Sequence, residues 1–396
     1  GKVNTNSDPQ LRNYLYDVLN LKPTKLTASE KGSTSEEALE ALNIPELNMM
    51  IEIRKLKKLR DTYLDAYIRE SVNGYIHPFI NLHLVKTFRS SMDSPNLQNV
   101  PVRSERAKKV IRKSLYPRPG HGLLEIDYGK LEVCIGTCYH KDPTMIKYLN
   151  DSNSDMHKDM AKQIFFIDDW DDSDKSLKTL RSGAKNGFVF PQFYGDYFGN
   201  NVLSLVKWGN LSFKGKWKSD SGLVLPGDVP LSNHLLNNGI SSIKDFKEHL
   251  RGIEQHFWEE RFPVYNSWKK KWFRAYQKKG YFDTLTGFRC SGVMSMNDVT
   301  NYPVQGSAFH CLLWSFIELD RIMRMEKWDT KLISQVHDSI IFDYNKNELD
   351  HVIEVVKRVT CIDLRKAWDW IIVPLSIDAE VCKIDESWYY KEKIAI

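Results

Sequence analysis

Two aspartates stand where apolar runs end or turn. Asp127 closes Gly122-Leu123-Leu124-Glu125-Ile126, and Asp338 lies inside the apolar stretch from Leu332 to Tyr344. The first run reads as a buried strand ending in a carboxylate, the second as two strands joined by a tight turn at His337-Asp338. Carboxylates on rigid scaffolding suit hard divalent cations. Two such ions about 4 Å apart are what phosphoryl transfer from a nucleoside triphosphate needs. An Asp at a strand end is also an ordinary turn or cap residue, and these two are too distant in the chain for spacing to pair them. Arg181 and Lys185 are four residues apart and share one helical face, where they either grip an anion or solubilise a surface.

The elements that must position these groups follow from periodicity. Leu47, Met50, Ile51, Leu56, Leu59, Tyr63 and Tyr67 predict a helix from Ile44 to Glu70. Its run Arg54-Lys55-Leu56-Lys57-Lys58-Leu59-Arg60 makes a basic face, either solvated or laid along phosphates. A helix is expected from Lys178 to Tyr194, kinked or ended by Pro191. Asp196 to Asn238 reads as a loop-rich insertion, with helical patterns resuming from Ser242 to Lys279. Tyr281 to Phe288 predicts a hairpin, and Pro303 to Met325 another helix.

At 396 residues the chain is long enough for two or three subdomains, and 42% hydrophobic with 27% charged residues describes a globular protein. The net charge of +5 does not by itself imply nucleic acid. Six scattered cysteines lack zinc-site spacing and suggest free thiols in a reducing compartment. No apolar run has membrane-spanning length and no signal core opens the chain, so the expectation is a cytoplasmic protein, in a bacterial or phage-infected cell, without a membrane partner.

The words around the aspartates carry more. Asp127-Tyr128-Gly129-Lys130-Leu131-Glu132 resembles the first palm motif of family A DNA polymerases, and Gln335-Val336-His337-Asp338 resembles the third. Between them, Arg181-Ser182-Gly183-Ala184-Lys185 with Phe193-Tyr194-Gly195 is similar to the nucleotide-binding helix of the fingers. Arg89 with Ser94-Pro95-Asn96-Leu97-Gln98-Asn99-Val100-Pro101-Val102-Arg103, and Asn301-Tyr302-Pro303-Val304-Gln305-Gly306, match further family segments. The similarity runs in order from about Ser33 to Trp388, with spacing and an insertion that look more phage-like than bacterial.

The resemblance implies an α+β right-hand fold with an antiparallel palm sheet and helical fingers and thumb. Thumb and a palm-side segment would occupy 1–80, palm 81–150, fingers 151–290 with the insertion at about 196–238, and palm again 291–396. It implies DNA synthesis from deoxynucleoside triphosphates on a primer-template, with pyrophosphate release. Asp127 and Asp338 would hold two Mg²⁺ ions, with Mn²⁺ able to substitute. Arg181 and Lys185 would grip the triphosphate, Lys185 also protonating pyrophosphate. Tyr194 would close the pocket and Phe190 stack on the incoming base, with Phe188 and Val189 as alternatives. Glu132 would exclude a ribose 2′-hydroxyl. Arg89, Asn301 and Gln305 would read minor-groove acceptors, Lys58 would contact duplex phosphates, and His337 the primer end or the protein interior. No exonuclease-like motif precedes Arg89, so proofreading is expected from a separate domain or accessory replication protein.

Three departures stand against the pattern. Lys185 to Tyr194 is nine residues, one more than the family's spacing, which a one-residue helical bulge would reconcile. Ser339 stands where the family has Glu, and Asn297 where it has Arg. Two rival readings remain: a single-subunit RNA polymerase, opposed by Glu132, and an inactive binding module, opposed by both aspartates. In the insertion, Lys207, Lys214, Lys216 and Lys218 interleave with Trp208, Phe213 and Trp217. That pattern suits single-stranded template, a hairpin burying its tryptophans, or an accessory protein.

Overall fold

The computed structural model describes residues 3–24, 26–27, 29–100, 104–213 and 215–396, so Pro101, Val102, Arg103 and Lys214 lie outside the described residues. The chain forms two compact units. One comprises Gly1–Asn81, Ser91–Leu123 and Cys382–Glu392, the other Leu82–Ser90, Leu124–Val381 and Lys393–Ile396.

In the smaller unit, helix α1 (Pro45–Lys58) starts with proline in its first turn, where a missing N–H costs nothing. Leu47 and Ile51 bury against Leu11, Leu15 and Leu39. The rod continues through a π-helical turn, Leu59–Leu64, and on to Glu70, so the expected helix is present. On its basic face Lys55 pairs with Glu36 at 2.8 Å, while Lys58 is exposed.

After Leu82–Ser90, the larger unit continues with strand β1 (Gly122–Gly129), most of which belongs to it; Ile126 and Tyr128 are buried while Asp127 between them is exposed, the period-two alternation of a half-buried strand. Helices α2 (Leu131–His140), α3 (Met156–Phe165), α4 (Lys175–Ala184), α5 (Phe198–Trp208), α6 (Ile243–His256) and α7 (Pro263–Lys279) follow. Strands β2 (Tyr281–Asp283) and β3 (Arg289–Ser291) form the expected hairpin. Then come helix α8 (Met296–Glu326) and strands β4 (Lys331–Val336), β5 (Ser339–Tyr344), β6 (Ser376–Val381) and β7 (Glu392–Ile394). The sheet order is β4-β5-β1-β6-β7, antiparallel where β4 meets β5 and where β1 meets β6. The fold is α+β, as expected.

Two expectations need correction. The stretch from Asp196 to Asn238 is loop-rich only in its middle, and carries a helix at each end, Phe198–Trp208 and Leu231–Asn237. Val202, Leu205 and Val206 recur at helical steps in α5 and bury in one core with Leu225, Leu231, Leu235 and Phe246. Gly and Asn between them hid a periodicity that packing makes use of. Helix α8 begins seven residues before Pro303, at a Ser295–Asp298 capping box. Pro303 cannot donate to the Val299 carbonyl one turn back, and the Trp272 indole N–H donates to it instead at 3.0 Å. The orphaned acceptor is satisfied from outside the helix.

Candidate active site

The sheet brings the two aspartates together through its backbone. The Tyr128 amide donates to the Asp338 carbonyl at 3.2 Å, which seats the β4–β5 turn against the end of β1 beside Asp127. The turn is tight: His337 adopts a left-handed conformation at φ +52° and is exposed, which removes the buried reading of this histidine. Gln335 holds it, its amide donating to the His337 carbonyl and its side-chain oxygen accepting from Ser90 at 2.8 Å. Gln335 therefore fixes both the Asp338 turn and the segment that carries Arg89. Nothing in the Gln335-Val336-His337-Asp338 motif itself points to this task. Ser339, which departs from the family's Glu, is buried and donates to the Val336 carbonyl at 2.8 Å.

Arg89 reaches the same place. Its guanidinium pairs with Glu132 at the start of α2, and the Tyr194 hydroxyl donates to Glu132 Oε2 at 2.7 Å. Helix α8 can approach this segment only because residue 306 is glycine; a Cβ there would lie 2.5 Å from the Thr87 carbonyl oxygen. Burial pushes the Asp338 carboxyl above its ordinary value, against the pull of Arg89 and His337. The Tyr194 hydroxyl is also raised, by burial first, with Arg89 lowering and Asp338 raising it. Arg89, Glu132, Tyr194 and Asp338 thus form one electrostatically coupled group.

A second group is cationic. Past α4 the chain makes a π-helical turn, Lys185–Val189, then a last helical turn, Phe190–Phe193. The extra residue between Lys185 and Tyr194 is absorbed there, as the bulge required. Phe188 and Val189 are fully buried, Phe188 edge-on to Phe257 at 5.5 Å, so neither can present a face to a ligand. Phe190 is half-buried, with the Lys185 ammonium 5.2 Å from its ring centre. Arg181 pairs with Asp155 at 2.6 Å, and Asp155 also caps α3 through the amides of His157 and Lys158.

His157 was missed by the sequence reading. Its ring stands edge-on to Phe190 at 5.7 Å, and its Nδ1 is buried without a hydrogen-bond partner. Burial lowers its pKa to about 4, with Lys185, Arg181 and Lys130 pushing the same way and Asp155 opposing. The cue lay in Ser154-Asp155-Met156-His157, a cap followed by a titratable residue in a helix's first turn, but nothing local tied it to Arg181.

Asn301 donates to the Tyr194 carbonyl at 3.4 Å and Asn297 to the Gly195 carbonyl at 3.5 Å, so α8 grips the end of the Phe190–Tyr194 turn. Gln305, one turn on, is half-buried. Among the described residues no group of three or more His, Cys, Asp or Glu gathers to hold a metal, and no helix is long and apolar enough to cross a membrane.

In the insertion, Trp217 packs on Phe246 at 5.9 Å and donates to the Ser212 carbonyl at 2.9 Å, while Trp208 lies against Gly183. Both indoles support the surrounding helices. Lys207, Lys216, Lys218 and Phe213 remain exposed.

A family profile described as DNA polymerase family A matches residues 1–198 and 251–389, passing over most of the insertion. Among curated proteins, DNA polymerase I of Lactococcus lactis subsp. lactis is 28% identical over 98% of this chain and 40% of its own length. The thermostable DNA polymerase I of Thermus filiformis is 28% identical over 96% of this chain and 41% of its own. The chain thus spans about 40% of the length of these relatives. The POL domain of Pol1 from M. smegmatis, solved in complex with DNA primer-template and dNTP, superposes with a TM-score of 0.74 at 23% identity, covering 98% of this chain and 62% of that one.

Proposed function

From the premise that this chain belongs to DNA polymerase family A, we propose that it extends a DNA primer on a DNA template, adding deoxynucleoside monophosphates from dNTPs with release of pyrophosphate. The observation that carries this reading is the Tyr128–Asp338 backbone bond, which seats the turn bearing Asp338 against the residue next to Asp127. The polymerase solved with primer-template and dNTP, to whose fold this chain is similar, supports the same substrates.

Asp127 and Asp338 are a donor set that fits Mg²⁺, which takes one or two carboxylates and completes its shell with phosphate and water. Two such ions, with Mn²⁺ as substitute, would supply charge neutralisation at the reacting phosphate and a more acidic primer hydroxyl. The protein's own groups do the rest. Arg181, Lys185 and His157 bind the triphosphate oxygens, and Arg181 exchanges Asp155 for phosphate as the nucleotide arrives. Lys185 gives a proton to the departing pyrophosphate. Phe190 stacks on the incoming base, while Tyr194 closes the pocket over the pair.

Glu132, held by Arg89 and Tyr194, stands where a ribose 2′-hydroxyl would need space. Asn301, Gln305 and Arg89 read minor-groove acceptors that every correct pair presents alike. His337 contacts the primer end, and Lys58 duplex phosphates. The insertion about 196–238 belongs with the fingers. Purified protein, a DNA primer-template, dNTPs and Mg²⁺ test the reading by gel: stepwise extension is expected. Absence of extension, with binding intact, would leave an inactive binding module.

A further inference from the structure

Helix α7, Pro263–Lys279, carries Lys269, Lys270, Lys271, Arg274, Lys278 and Lys279 without one Asp or Glu in 17 residues. Some exposed cations on other helices are paired with acids on the same helix: Arg251 with Glu248, Arg321 with Glu318, Arg324 with Asp320. An ordinary solvated face mixes signs in that way, because like charges three and four residues apart weaken a helix. At 3.6 residues per turn Lys270, Lys271, Arg274 and Lys278 fall within an arc of about 100°. They lie opposite the face that buries Tyr265 and Tyr276. All four are exposed, and among the described residues none has a carboxylate partner.

The first turns of α7 border the site. Asn266 and Lys269 line a cavity of about 430 Å³ together with Gly195, Trp258 and Asn297. Gly195 follows Tyr194, whose hydroxyl bonds Glu132. The Lys269 ammonium sits 3.1 Å from the centre of the Trp258 ring, and burial lowers its pKa to about 7. Lys269 covers that ring, so what this helix offers is charge: a row of exposed cations on an element that borders the site matches the phosphates of a single strand.

We propose that the exposed face of α7 is a track for the unpaired 5′ strand of the template, with Lys270, Lys271, Arg274 and Lys278 holding its phosphates. This rests on the polymerase reading above and adds the path by which template reaches the site. The test compares binding of a blunt-ended duplex with binding of the same duplex bearing a 12-nucleotide 5′ overhang. The wild type is set against K270Q/K271Q/R274Q/K278Q between 50 and 200 mM salt. Each phosphate contact to a single strand contributes about 0.7 to the slope of log affinity against log salt. The expected result is a slope smaller by about 3 on the overhang substrate and unchanged on the blunt duplex. Should the quadruple variant fold poorly by circular dichroism, K270Q/R274Q replaces it, with an expected fall of about 1.4. Equal loss on both substrates would assign the stripe to duplex, and no change on either would make it a solvated face; both overturn the track. Primer extension by the wild type reports separately on the polymerase reading, because the track is read from binding alone.

Discussion

The Tyr194 hydroxyl donates to Glu132 Oε2 at 2.7 Å, and so joins the end of the Phe190–Phe193 turn to the first turn of the helix that follows β1. The same carboxylate receives the Arg89 guanidinium. Glu132 is therefore held from two sides, which fits the sugar-excluding role proposed for it. Glu132→Ala should raise ribonucleotide use relative to deoxynucleotide use by about tenfold or more, near 1.4 kcal/mol of lost discrimination. Tyr194→Phe should lose part of it, since the ring stays and the tether goes. The ratio of kcat/KM for matched ribo- and deoxynucleotides measures both, and an unchanged ratio in Glu132→Ala would move the gate to another side chain.

Replacing Asp127 or Asp338 by Ala should lower the extension rate by about 10³-fold or more. Primer-template affinity should change little, because phosphate contacts elsewhere dominate it. Single-turnover extension and equilibrium binding separate the two quantities. Near-normal turnover in either variant would remove the metal assignment.

Acid should destabilise the fold through His140. Its ring stacks on Tyr265 at 4.0 Å, and its Nδ1 accepts from the Asp142 amide at 3.0 Å, a bond that only the unprotonated nitrogen can make. Burial lowers its pKa from 6.5 to about 3, with Lys269 adding to the effect. A depressed folded value means that the unfolded chain binds the proton first. Stability is then present above about pH 6.5 and falls as pH drops toward 3, by at most about 1.4 kcal/mol per unit for one proton. Denaturant midpoints at pH 7, 6 and 5 should decline, and His140→Phe should flatten the slope even while lowering the pH 7 value.

Trp272→Phe should cost about 1–3 kcal/mol by stranding the Val299 carbonyl inside α8. Adding Pro303→Ala should return part of that loss, since alanine supplies the missing backbone N–H. A double-mutant cycle on unfolding free energies reads the coupling, and strictly additive effects would mean that the indole bond does not serve the proline gap.

Trp217→Ala should destabilise the larger unit by about 2–4 kcal/mol, the cost of opening space beside Phe246. Its effect on affinity for templates with long 5′ overhangs should be negligible. A selective loss on such templates, with stability unchanged, would return Trp217 to the role of a stacking platform.

Local chemistry was enough to show some of this protein. A strand through Ile126 and Asp127 (it runs two residues further than expected, to Gly129), the paired strands around His337-Asp338, the hairpin from Tyr281 and the long helices are written in side-chain periodicity, which depends on neighbours a few residues away. The order of the motifs identified the family, and the count between Lys185 and Tyr194 called for a bulge, since a helix must absorb an extra residue somewhere. Other facts belong to the folded molecule. That the turn bearing Asp338 lies against the strand bearing Asp127 depends on which strands pair, a choice made by burial across the whole sheet. That Phe188 is spent in the core while Phe190 stays half-buried beside Lys185 and His157 depends on where the π-helical turn falls. His157 joined Arg181 and Lys185 only when two helices packed together. Val202, Leu205 and Leu231 became a core because other helices offered apolar faces, which no window of sequence around the insertion contains. Hydrophobic packing and long-range hydrogen bonds couple residues regardless of their separation in the chain, and those couplings assembled the site.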